Sequence, residues 1–398
     1  MIRARSWQLS VALAALVAAA PLSAQTPAPA PTPLDFSGVL FGSYNFQESP
    51  TGAPFNGQTD NAFVLDRAYL TFRMPAGDHM SIRVTTDVYQ EAAGGSNNGW
   101  TIRAKYAYAQ YAWPKMDNGA AVVARFGILH TVEIDHEEQF WPRYLSTTPI
   151  ERAGFFSSAD AGVASLITLP SKMGEAYLTI TNGSGYTTRE NNRFKDYAAR
   201  LSLTPLANNA DMPLLNTFTL TGWGYKGANA STFVNNVAPA TNGPVGEALD
   251  RSRYGLFVGL KDPKLVLGFD YDITKTGGEQ GANTAASPRT VTDLDGTLLA
   301  AFTVIHPLAF MDASGKSPFG IVARYDIVKP SSSTTGFVAP AAPSTDNQYH
   351  VAILGLLYDL NNKAQLALDY QEQTASNNGV SANPAPAKGY YLHFNVNF

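Results

Sequence analysis

Six basic side chains recur at short intervals early in the chain: Arg67, Arg73, Arg83, Arg103, Lys105 and Arg125. An acidic run follows directly, with Glu133, Asp135, Glu137 and Glu138 set close together. Opposed rows of fixed charge across water create a transverse field, which orients dipolar solutes and rejects apolar ones. Bond-making chemistry has less to work with. The chain contains no Cys, which removes thiolate metal ligands, a thiol nucleophile and disulfides together. His130, Asp135, His136 and Glu137 are metal-capable types, but their spacing fits no standard ligand pattern, so no metal and no other cofactor is expected. There is no Gly-x-Ser-x-Gly elbow, and the six His have no evident Ser/Asp partnership, so no catalytic residue is assigned and an enzyme is not expected. Asn182-Gly-Ser-Gly185 lacks a following Lys or helix and is turn chemistry rather than a phosphate loop. A net charge of −4 argues against nucleic acid, which requires a basic face.

The elements that must position these groups are strands. Charged residues make up 15% of the 398 residues, well below the roughly 25% usual for soluble domains, yet 45% are hydrophobic and the mean hydropathy is only −0.12. The dominant period is two. Leu265, Leu267, Phe269, Tyr271 and Ile273 alternate with Val266, Gly268, Asp270, Asp272 and Thr274. Phe319, Ile321, Ala323, Tyr325 and Ile327 alternate with Gly320, Val322, Arg324, Asp326 and Val328. Sixteen such segments run from 36–47 to 389–398, with mostly short turns after even-numbered segments and long Gly/Asn/Ser/Thr/Pro-rich links after odd-numbered ones. That loop rhythm with an even strand count predicts an all-β fold, a transmembrane antiparallel up-and-down β-barrel over 36–398. Closure follows from lipid itself, which offers no partner to an open edge.

The N-terminus carries an address. Arg3 and Arg5 precede the apolar run Val11 to Ala20, and Leu22-Ser23-Ala24 is a small-residue cleavage site. Residues 1–24 therefore read as a signal peptide cut near Ala24, and 25–35 as a Pro-rich spacer. No run reaches the 18 apolar residues of a membrane helix. At the other end Tyr390, Leu392, Phe394, Val396 and Phe398 share one face of the last segment, which resembles the C-terminal strand by which outer-membrane barrels are recognised for insertion, and this resemblance implies the barrel assembly machinery as a partner.

With the apolar face toward lipid, the six basic residues point inward as a strip on the wall, since neighbouring strands lie about 5 Å apart. The link 129–159 is the longest and carries Phe140, Trp141, Tyr144, Phe155 and Phe156 alongside its acids. It is expected to fold into the barrel and to hold Glu133, Asp135, Glu137 and Glu138 opposite the basic strip.

Three stretches resemble a known family. They are Asp66-Arg-Ala-Tyr-Leu-Thr-Phe-Arg73 with the Pro75-Ala-Gly turn and Ser81-Ile-Arg-Val-Thr-Thr-Asp87; Ala124-Arg-Phe-Gly-Ile128 leading to Glu151-Arg152 and Gly162-Val163; and Thr179-Ile-Thr-Asn-Gly183. In these the chain resembles bacterial outer-membrane porins and is most similar to the phosphate-selective porin O/P group, over roughly residues 62–183. The resemblance implies a homotrimer of sixteen-stranded, water-filled barrels in the Gram-negative outer membrane, in contact with lipid and open to small hydrophilic solutes or ions. It also implies an arginine ladder and a lysine-rich vestibule for anions. The acidic link departs from that pattern, as does a mature charge of −6 (26 basic residues after loss of Arg3 and Arg5, against 32 acidic). A general diffusion pore is therefore the leading expectation. An anion (phosphate)-selective channel is second, and a non-conducting structural barrel or an outer-membrane hydrolase is the rival from another class.

Overall fold

The computed structural model describes residues 34–49, 61–90, 99–190, 192–230, 248–280, 290–330, 348–376 and 387–398. The signal peptide and nearly all of the Pro-rich spacer lie outside the described residues. Sixteen strands form one closed antiparallel barrel, each paired with its sequence neighbours and the last with the first. They are β1 (Asp35–Ser49), β2 (Asn61–Pro75), β3 (Met80–Gln90), β4 (Trp100–Ala112), β5 (Ala121–His130), β6 (Ala159–Thr168), β7 (Gly174–Thr181) and β8 (Asp196–Leu203), then β9 (Thr219–Ala230), β10 (Ala248–Asp262), β11 (Leu265–Gln280), β12 (Thr290–Ile305), β13 (Phe319–Lys329), β14 (Tyr349–Asp359), β15 (Ala364–Ala375) and β16 (Ala387–Asn397). The all-β barrel read from the alternation is the observed fold.

Closure is made by hydrogen bonds. The Gly38 N–H donates to the Phe398 carbonyl at 2.9 Å and the Phe398 N–H to Gly38 at 3.0 Å, extending the β1–β16 ladder to the last residue. No helix among the described residues is long and apolar enough to cross a membrane.

Burial follows the alternation. On β11 Leu267, Phe269, Tyr271 and Ile273 are exposed outside the barrel, while Gly268, Asp270, Asp272 and Thr274 are buried. On β16 Tyr390, Leu392, Phe394, Val396 and Phe398 all lie exposed on the outer face, and His393 and Asn395 between them are buried. The link lengths alternate with two exceptions, 204–218 after β8 and 306–318 after β12, each containing a short 3-10 turn.

Two bulges shift the alternation on the strands that carry the basic residues. Between β1 and β2 the register steps from Phe41↔Arg67 to Gly42↔Leu65, leaving Asp66 as the extra residue. Between β3 and β4 it steps from Thr85↔Tyr106 to Thr86↔Ala104, leaving Lys105 extra. A bulge places two consecutive residues opposite one. Lys105 and Tyr106 are accordingly both buried inside the barrel, where a strict period of two would have sent one of them to the outer face.

Candidate functional site: the barrel lumen

The link between β5 and β6 packs against the inner wall. Its neck is closed by the Thr131 hydroxyl donating to the Ser157 carbonyl at 2.6 Å and the Thr131 N–H donating to Ser158 at 3.2 Å. Two helical turns follow, α1 (Ile134–Glu137) and α2 (Pro149–Arg152). Strand side chains hold its backbone from several directions. Arg200 of β8 donates to the Val132 carbonyl at 2.7 Å, Arg324 of β13 to Thr147 at 2.6 Å, and Gln371 of β15 to Leu145 at 2.9 Å. Arg324 is itself fixed by Asp326, with its Nε 2.9 Å from one carboxylate oxygen.

The apolar side chains of the link fill one side of the lumen. Phe140 packs on Phe257 of β10 with ring centroids 5.0 Å apart, Trp141 on Phe302 of β12 at 5.3 Å, and Phe156 on Trp223 of β9 at 5.4 Å. Ile134, Ile150, Val322, Val351 and Ile353 complete a buried apolar core between link and wall. Gly259 of β10 makes room for it, since a Cβ there would fall 2.6 Å from the Phe140 ring.

The six basic residues take different stations. Arg103 pairs with Asp87 at 2.9 Å and lies over the rings of Tyr89 and Tyr186, at 4.0 and 4.8 Å. Arg67 stands 3.6 Å from the same Asp87. Arg83 meets His130 at 3.2 Å and the Tyr106 ring at 4.9 Å; Arg125 meets Gln110 at 3.4 Å and the Tyr108 ring at 5.3 Å. Lys105 lies over Tyr69 at 4.3 Å and 3.9 Å from Glu138. Arg73 sits apart at the short-turn end, exposed, 3.4 Å from Asp35. Arg67, Arg83, Arg103, Lys105 and Arg125 thus form a basic wall interleaved with tyrosines, a spacing that keeps guanidinium groups extended over ring faces.

The four acids of the link divide, which corrects the expectation that all of them face the basic wall. Glu138 does so, through Lys105 and a close pair with Arg143. Asp135 does so through His130, at 3.2 Å. Glu133 and Glu137 are turned the other way and are fully buried. The reason is helical geometry: the Glu137 N–H donates to the Glu133 carbonyl at 2.9 Å, so the two side chains, four apart, share one face of α1. That face meets Asp270 and Asp272 of β11, which are also fully buried. Burial, opposed by the charge of Arg200 and reinforced by Asp270, pushes the Glu133 carboxyl up to about 8. Burial and then the neighbouring Asp270 and Glu133 raise Glu137 well above the carboxylate range. His136 goes instead to the Thr221 hydroxyl at 2.9 Å, and burial and then Arg200 hold it well below its ordinary value, as neutral imidazole. His136 and Glu137 therefore point away from His130 and Asp135.

The alternation places Asp270, Asp272, Arg324, Asp326 and Gln371 on the inner face without a role, and it does not single out Arg200. Their signal was a charged or amide side chain at an inward position of an apolar-outward strand.

No family model and no curated protein matches the chain. Solved structures do match its fold. A loop L8 deletion mutant of OmpT, an outer membrane protein of Vibrio cholerae, superposes with a TM-score of 0.57 at 11% identity, covering 92% of this chain and 99% of that one. An anion-selective porin from Comamonas acidovorans gives 0.57 at 9% identity, covering 92% and 99%. The outer membrane channel DcaP of Acinetobacter baumannii gives 0.55 at 13% identity, covering 92% and 97%. The fold is that of a porin barrel. At these identities the likeness extends to architecture alone.

Proposed function

We propose that the chain is an outer-membrane porin through which small hydrophilic solutes and ions diffuse passively, without reaction chemistry, and that the link between β5 and β6 is its constriction. The observation that carries this reading is the asymmetric lumen. The link is packed against β9–β14 with its aromatic and aliphatic side chains buried, while the opposite wall keeps half-buried charges of both signs and tyrosine hydroxyls. Beside that wall a cavity of about 330 Å³ is lined by Asp66 and Arg67 on one side and by Arg143 and Arg152 of the link on the other. A barrel of this strand number is wide enough to leave a channel where a smaller one fills itself. The exposed apolar outer face supports placement in lipid, and the outward aromatic row of β16 supports recognition by an assembly machinery. Delivery by residues 1–24 and assembly as a homotrimer belong to the same reading; one of the superposable OmpT structures is described as a trimer form.

A second reading, an anion-selective channel, is favoured by Arg83 and Arg125, which have no carboxylate partner among the described residues. Incorporation into planar bilayers tests both. The account predicts ohmic single-channel steps with a small reversal potential under a KCl gradient. A reversal potential near the chloride limit would select the second reading, and absence of conductance would select a structural barrel.

A further inference from the structure

We infer that the lumen contains a subsite for a small hydroxylated monocarboxylate, built around Arg253 of β10; the inference deepens the pore reading and rests on it for its physiological meaning. The inward arginines described above each have a hydrogen-bond partner. Arg253 is different. Its guanidinium lies over two rings, Phe156 at 5.4 Å and Tyr225 at 5.1 Å, and among the described residues no carboxylate pairs with it. Its Nε is buried without an acceptor. A guanidinium with no acceptor of its own gains charge-assisted hydrogen bonds from an incoming oxyanion.

The guanidinium borders a cavity of about 250 Å³ between the neck of the constriction link, strands β6 to β10 and the turn after β7. At about 30 Å³ per water, that is room for roughly eight water molecules or one small organic solute. The remaining lining is rich in hydroxyls, with Ser157, Thr179 and Ser184 among them. It is also preorganised: Gly183, in the left-handed region at φ +89°, donates its N–H to Asp160 at 2.6 Å and offers its carbonyl to Arg251 at 2.8 Å.

Charge count selects the ligand. Arg251 is already committed to Asp196, with which it makes a close pair. The Asp160 carboxylate in the lining is already held by the backbone N–H groups of Ala161 and Gly183, at 2.7 and 2.6 Å, so the positive charge of Arg253 is the one left without a partner of its own. A monoanion matches this, whereas a dianion such as hydrogen phosphate would leave a charge uncompensated beside Asp160. The hydroxyl lining fits a solute that carries hydroxyl groups of its own, and the two rings fix the plane in which a carboxylate meets the guanidinium fork.

The test is titration calorimetry on the purified full-length protein in detergent, with sodium gluconate, glucose and sodium phosphate as probes, alongside bilayer conductance of the same preparation. Saturable gluconate binding is expected, with glucose and phosphate weaker by at least about tenfold, because each lacks one of the two matched features. Arg253→Gln should lower gluconate affinity by at least about tenfold, and Arg253→Lys should retain part of it while reporting on folding. Gluconate binding unchanged in a folded Arg253→Gln protein, or no gluconate binding to the wild type, overturns the subsite. Phosphate binding as tight as gluconate overturns the ligand class. Arg253-dependent binding without conductance would sink the pore reading and leave the subsite standing; conductance without binding does the reverse.

Discussion

The two sides of the lumen are built from the same alternating strands and end in opposite physical states. Along β2–β5 the inward positions carry Arg67, Arg83, Arg103, Lys105 and Arg125 between tyrosines, and several of these groups are only half-buried. Along β9–β14 the inward positions include Phe257, Leu298, Phe302, Val322, Val351 and Ile353, all buried on the side where the link between β5 and β6 packs. Binary patterning specifies which face a side chain takes. It does not specify whether the inner face is wet. That depends on where a link of the right length and aromatic content comes to rest.

The largest expected difference between the two sides comes from Trp141, which is 1% exposed against Phe302. Trp141→Ala should cost the link about 3–5 kcal/mol of packing, typical for truncating a buried aromatic. Single-channel recordings should then show a larger conductance with more open-channel noise. A comparable truncation on the wet side, Tyr89→Ala, should leave the mean conductance within noise of the wild type.

The buried carboxyls give the dry side a pH dependence. With Glu133 raised to about 8, the packed link keeps a proton that the free side chain releases near 4.5. The packing is therefore strongest at pH below that free value and declines as pH climbs through about 8, where the carboxyl must ionise in place. Tryptophan emission followed between pH 6 and 9.5 should shift to the red. Glu133→Gln should flatten the curve, and an unchanged curve in that variant would remove Glu133 from the account.

Charge removal on the wet side should alter passage. Arg103→Ala with Arg125→Ala should move the reversal potential toward cation preference, read under a KCl gradient in bilayers. The smallest effect is expected at Arg73, whose pair with Asp35 is exposed on both sides. Arg73→Ala should change thermal stability by no more than about 1 kcal/mol, and selectivity not at all.

The barrel was legible in the sequence because an apolar outer face and a polar or packed interior impose a period of two on every strand. The long link was legible for the same kind of reason, since 129–159 has too many aromatics for a solvated tail. The bulges at Asp66 and Lys105 were not, because an extra residue produces no compositional mark and shifts the alternation by one step. The fate of Glu133 and Glu137 was also hidden. Acids four residues apart become side-chain neighbours only if the backbone is helical there, and α1 is too short to announce itself by periodicity. Arg324 and Gln371 stood at visible inward positions, but their partners Thr147 and Leu145 are backbone carbonyls far away in sequence, which carry no side-chain signature.

The chain's lack of Cys makes the division of the lumen directly measurable. Arg125→Cys and Val322→Cys would place single thiols on the wet and the dry side, in a protein whose current is recorded while a charged, water-soluble thiosulfonate is added. The account predicts rapid modification and a stepwise fall in current for Arg125→Cys, with no reaction for Val322→Cys. Fast modification of Val322→Cys with Arg125→Cys inert would contradict it.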